Sequence, residues 1–344
     1  MAKRQTTDWW TSLTDKELLE LRFCDLNLSL RHSRLTPFIK ALYKELSEKD
    51  LRFKPHFWIA SEWYATDGVP GIAVPFYLVH PRLIALHAAI MGTPPEGTDP
   101  KDCMRVLRHE AGHAIDNAFH LRMSRKRQKL FGLSSTPYPE SYYPRLNYKN
   151  FVSHINPWYA QAHPDEDWAE TFATWLSPSS KWKSKYKNWP LALEKLKFVD
   201  QTMKGIKGKS PKVFVRKRPG NIVKSTKKLK TFYHDQISYL SSEEKMDLTP
   251  IVFHLFSSST TYKKNKSAAV FLKKERPHIL ETLSKWTGQD AYTLGQMYDE
   301  ILDFCKENKS FLIKTEKTTS LELVSMLCIY NMNLIYSGKM GIKM

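Results

Sequence analysis

The residues at the centre of the chain best suited to chemistry are two histidines and a glutamate. In His109-Glu110-Ala111-Gly112-His113 the histidines are four residues apart, so on a helix they project from one face, one turn above the other. Both imidazoles then reach a single metal ion, and Glu110 falls beside the open side of that ion. This is the H-E-x-x-H spacing suited to zinc-dependent hydrolysis, with two ligands and a carboxylate that activates water. Apolar flanks at Val106-Leu107, Ala114-Ile115 and Ala118-Phe119 predict a buried helix rather than a surface helix with two solvated histidines. Asp99-Pro100, a capping residue followed by proline, predicts where it starts.

A catalytic zinc site needs a third protein ligand. The run from His163 to Leu176 predicts a second helix, with Pro164 in its first turn and Ser177-Pro178 ending it. Glu166 and Glu170 share a face of this helix, one turn apart, so one can bind the metal while the other accepts a hydrogen bond from a ligand histidine. An acidic first turn is also what the helix dipole favours without any metal. His154 and His163 stay open as alternative ligands. His120 lies about 10 Å past His113 along a helix, too far for the same ion. Cys24, Cys103, Cys305 and Cys328 have no paired spacing, which argues against a thiolate zinc site.

From about Leu18 to Asp200 the chain resembles a bacterial family of zinc-binding metallopeptidases within the zincin group, gluzincin-like in its ligands. The resemblance rests on Glu62-Trp63, on Asp67 to Leu78, on Arg105 to Asp116 and on Trp158 to Ala173. The ligand layout is also similar to that of the anthrax lethal factor protease domain, in the runs His109 to Asp116 and Glu166 to Phe172. That resemblance implies one zinc ion held by His109, His113 and Glu166, with Glu170 supporting a histidine. It also implies that Tyr159, seven residues before Glu166, assists the transition state. Glu110 is then the general base that takes a proton from water and passes it to the leaving amine. Asp116 is expected either to support a ligand histidine as Glu170 does, or to cap and pack.

The elements around these residues predict an α+β chain: a zincin-like domain, with a small sheet on the active-site helix, then a mainly helical C-terminal domain. Thr14 to Glu17 predicts a capped first helix, and Leu35 to Leu46 another. Phe57 to Trp63 and Ile72 to Leu78 predict strands. An edge strand including Gly71, Ile72, Ala73 and Val74 would bind an extended peptide through its backbone, and Pro75 suits an edge; the alternative is an ordinary core strand. The Tyr- and Pro-rich stretch Pro137 to Pro157 is placed to shape a cleft. Further on, Ala268–Trp286, Ala291–Asn308 and Ser320–Tyr336 predict helices, with Asp290 a cap.

The net charge of +18 is uneven. Between Lys204 and Lys230 there are eleven basic residues and no acidic one, interrupted by glycines and prolines. This predicts a metallopeptidase domain over residues 1–203, a basic linker over 204–230 and a helical domain over 231–344. The linker is expected to be solvated; contact with nucleic acid is the less favoured reading, since no accompanying motif supports it. No apolar run is long enough to span a membrane, no secretion signal begins the chain, and the unpaired cysteines fit a reducing compartment. The expectation is a cytoplasmic zinc peptidase acting on peptides or peptide-like molecules. The alternatives are a zinc amidase for a small metabolite, with Arg82, Arg108 or Arg145 clamping a carboxylate, and a basic binding protein with a structural zinc.

Overall fold

The computed structural model describes residues 8–145, 149–155, 159–178, 180–240, 248–337, 340 and 342–343. The first seven residues, Trp158 and parts of the stretch Pro137 to Pro157 therefore lie outside the described residues. The fold is α+β and mostly helical, with small sheets. The chain divides into two compact units. One comprises residues 1–87, 94–139 and 144–234, and the other 88–93, 140–143 and 235–344.

In the first unit, α1 (Asp15–Glu20) begins at the expected capping box, with Thr14 and Glu17 satisfying each other's backbone N–H groups. Then follow α2 (Thr36–Glu48), β1 (His56–Ala60) and β2 (Gly71–Pro75). The two strands pair in parallel, His56 opposite Gly71 and Ala60 opposite Pro75. β2 stops earlier than expected, at Pro75, and the chain turns into a 3-10 helix over Phe76–Val79. After α3 (Pro81–Met91), α4 (Pro100–Phe119) starts where Asp99 accepts hydrogen bonds from the N–H groups of Lys101 and Asp102. It is followed by α5 (Arg125–Phe131), α6 (Pro164–Leu176), α7 (Trp182–Lys185) and α8 (Pro190–Ile206). The basic stretch after α8 is extended and tied down by its backbone. Gly208 donates to Asp50, Lys212 to Ala118, Ile222 to Ile59 and Leu229 to Leu21.

The second unit is a helical cluster. It holds the end of α9 (Leu229–Leu240), whose first six residues belong to the first unit, together with α10 (Thr249–Leu255), α11 (Ala268–Thr287), α12 (Ala291–Glu307) and α13 (Glu316–Tyr336). The last three match the expected helices within a few residues, and Asp290 caps α12 by accepting from Thr293 N–H. Phe271, Leu280, Tyr298 and Leu323, all buried, anchor its core. Short antiparallel pairs join Phe256–Ser257 to Phe311–Leu312 and Ser141–Tyr142 to Ile342–Lys343.

What positions the site is the packing of α4 on α6. Ala111, Ala114, Ile115 and Ala118 of α4 and Trp168, Ala169, Phe172 and Ala173 of α6 are all completely buried. The two helices come close at Gly112. A Cβ there would sit 2.9 Å from the Ala169 Cα and 3.2 Å from its carbonyl oxygen, so only glycine lets the backbones come this near. The Trp168 indole donates to the Gly112 carbonyl at 2.8 Å and fixes the two helices along their length. Gly112→Ala is therefore expected to push α6 away. We predict a loss of about 1–3 kcal/mol in urea unfolding, accompanied by weaker metal retention on dialysis.

Candidate metal centre

α4 carries His109, Glu110 and His113, all buried. The three acids opening α6 point to three different partners. Asp165 accepts from Arg127 at 2.9 Å, Glu166 faces the histidines, and Asp167 accepts from Lys195 at 2.5 Å. The acidic first turn is thus more than a response to the helix dipole, because each carboxylate has its own buried counterpart.

Among the described residues, one group of His, Cys, Asp and Glu gathers its donor atoms as a metal site would: His109, His113 and Glu166, within 4.8 Å of one another. Glu166 Oε2 lies 2.9 Å from His109 Nε2 and 3.3 Å from His113 Nε2, and the two Nε2 atoms are 3.1 Å apart. Bonds of about 2.0–2.1 Å to one tetrahedral zinc put neighbouring donors about 3.3 Å apart, so these spacings suit such an ion. The chemistry of the donors agrees. His109 Nδ1 donates to Glu170 Oε1 at 3.0 Å, which leaves Nε2 of the neutral ring as a lone pair aimed at a carboxylate oxygen. Two lone pairs facing each other require a cation between them or an added proton.

Charge tells the same story. Burial disfavours the charged form of His109, yet hydrogen bonds and charge from Glu166 and Glu170 outweigh it and raise its pKa well above normal. Burial likewise opposes charging His113, and Glu166 overrides it. Burial acts to raise Glu166, but His113 and His109 hold it well below the usual carboxylate range. The pocket thus favours positive charge among these three side chains.

Glu170 is completely buried and lies against His109. Its Oε1 takes the His109 N–H, and its Oε2 accepts from the backbone N–H groups of His154 at 2.7 Å and Ile155 at 3.1 Å. Glu110 Oε2 is buried and, like Asp167 Oδ1, has no hydrogen-bond partner among the described residues; burial raises the Glu110 pKa against the opposing pull of His113 and His109. The Tyr159 ring lies 5.4 Å from that of His109, centroid to centroid.

Other expectations fall elsewhere. Asp116 does not reach a ligand histidine; it accepts from Arg122 N–H at 2.6 Å, from Arg122 Nε at 2.9 Å and from Arg127 at 3.2 Å, so it serves packing. Gly71, Ile72, Ala73 and Val74 do not form an open edge. Ile72, Ala73 and Val74 have no exposed surface, β1 pairs along one side, and Ala73 N–H donates to Tyr64 on the other. The burial favours the core-strand alternative. His154 joins through its backbone and points its ring to the Arg105 carbonyl, while His163 caps α6. Arg82 and Arg108 are engaged by Asp15 and Glu45. The residue that sequence reasoning missed is Tyr138, whose hydroxyl donates to Glu166 Oε1 at 2.8 Å. The only signal was its place in the Tyr- and Pro-rich stretch.

No curated protein and no solved structure matches the chain. Residues 103–203, a span that holds His109, Glu110, His113, Tyr138, Tyr159, Glu166 and Glu170, match the model of the family described as "Putative zinc-binding metallo-peptidase".

Proposed function

We propose that the chain is a zinc-dependent peptidase that hydrolyses peptide amide bonds at this cluster. The observation that carries the reading is the buried Glu110 oxygen, without a hydrogen-bond partner among the described residues, on the helix that presents two of the three converging donor atoms. A structural metal site needs ligands and nothing more. A carboxylate held without a hydrogen-bond donor has the spare basicity of a proton acceptor.

His109, His113 and Glu166 would hold one zinc ion, which supplies Lewis-acid polarisation of a carbonyl and makes water easier to deprotonate. Glu110 takes the proton of the water whose oxygen attacks the carbonyl carbon. It then delivers that proton to the nitrogen as the C–N bond breaks, which leaves a carboxylic acid and an amine. Glu170 keeps the His109 proton on Nδ1 and so keeps Nε2 free to ligate. Tyr159, whose ring lies beside that of His109, would donate to the oxyanion that develops. A peptide is the substrate class that the family description supports. No helix among the described residues is long and apolar enough to cross a membrane.

Glu110→Gln is expected to abolish turnover of a mixed peptide library, read by mass spectrometry, while one equivalent of zinc stays bound by elemental analysis. An active variant would exclude Glu110 as the base. Because burial raises Glu110 above its ordinary value, its ionised form is lost at higher pH than for a free glutamate, about 4.3. The acid limb of kcat/KM of the wild-type enzyme should therefore lie above that value. Tyr159→Phe should lower kcat by about 100-fold or more with little change in KM; an unchanged kcat would remove it from the mechanism.

A further inference from the structure

Tyr138 is the polar contact at this cluster to which the reading above assigns no task. Its hydroxyl donates to Glu166 Oε1 at 2.8 Å, while Oε2 of the same carboxylate faces both imidazoles. Its ring stacks on His163, with centroids 3.7 Å apart and planes 18° from parallel. His163 is itself fixed. Its Nδ1 accepts from Asp165 N–H at 3.1 Å, so Nε2 carries the proton and donates to the Thr136 carbonyl at 2.7 Å. The tyrosine therefore rests on a ring locked at the start of α6, the same helix end that bears Glu166. Position and direction of the hydroxyl are both set from within one turn of the carboxylate it holds.

We propose that Tyr138 is a positioning residue that makes Glu166 a one-oxygen ligand. The proposal rests on the zinc reading of the site. A glutamate can offer a cation one oxygen or both. Glu166 is 5% exposed, so an oxygen without a donor there has little water to turn to. With the hydroxyl in place Oε1 is satisfied away from the histidines, and one corner of the metal remains for water and substrate. Without it, Oε1 loses its described donor, and the carboxylate is free to rotate both oxygens toward the cation. Tyr138 itself is 51% exposed, so its ring borders solvent and its replacement leaves no core cavity.

The test uses the full chain as wild type, Tyr138→Phe and Tyr138→Ala. Zinc release into a chromogenic chelator and the visible absorption of the cobalt(II)-substituted protein are measured on each. Melting of the chelator-treated proteins checks that folding is unaltered. The expected result is a change in zinc affinity of about 10–100-fold in both variants, as for loss of other groups that orient a metal ligand, together with weaker cobalt bands from a higher coordination number. Phenylalanine keeps the stack on His163, so equal effects in both variants place the role in the hydroxyl. Wild-type release and an unchanged cobalt spectrum in Tyr138→Phe would overturn the proposal, and so would an effect confined to Tyr138→Ala, which would assign the ring a purely structural role. A wild-type protein that binds no stoichiometric zinc would instead overturn the zinc reading itself, and the two failures are thus told apart.

Discussion

The near-contact of two helix backbones at Gly112 and Ala169 is the constraint on which the site depends. Two histidines one turn apart on α4 must meet two glutamates one turn apart on α6. Glu166 falls opposite the Nε2 atoms and Glu170 opposite the far nitrogen of His109. Side chains this short cannot bridge a wider gap. The separation of the helices is therefore set by the smallest residue in the motif, which itself ligates nothing.

Around that contact the protein buries an unusual amount of charge. Asp116 and Asp165 share Arg127, which is fully buried and lies over the Trp168 ring, while Asp167 pairs with Lys195. Such pairs bring little net stability, because desolvation offsets attraction. Their value is geometric. A carboxylate in α6 with its cation in α5 or α8 is satisfied in one register only, so the charged pairs oppose sliding of α6 that apolar packing alone would tolerate.

The cluster was legible in the sequence because spacing on a helix is itself geometry. His109, Glu110, His113, Glu166 and Glu170 needed only the 3.6-residue period to be placed on two faces, and the capping signals at Asp99 and Asp290 rested on equally local rules. Partners brought together by tertiary packing were not legible. Nothing near Asp116 in sequence says that it faces Arg122 and Arg127 rather than a histidine, and nothing in β2 says that Tyr64 approaches Ala73. Tyr138 reaches Glu166 across 28 residues with no periodic relation to it.

The position of Glu166 within its helix has a consequence for any cation it holds. With His163 as the cap and Pro164 first, Glu166 is the third residue of α6, where unpaired amide hydrogens leave the helix end electron-poor. Part of the carboxylate's negative charge is already spent on that end. It is a softer hand on the cation than a glutamate in mid-helix would be, and the cation keeps more of its appetite for an oxygen from outside.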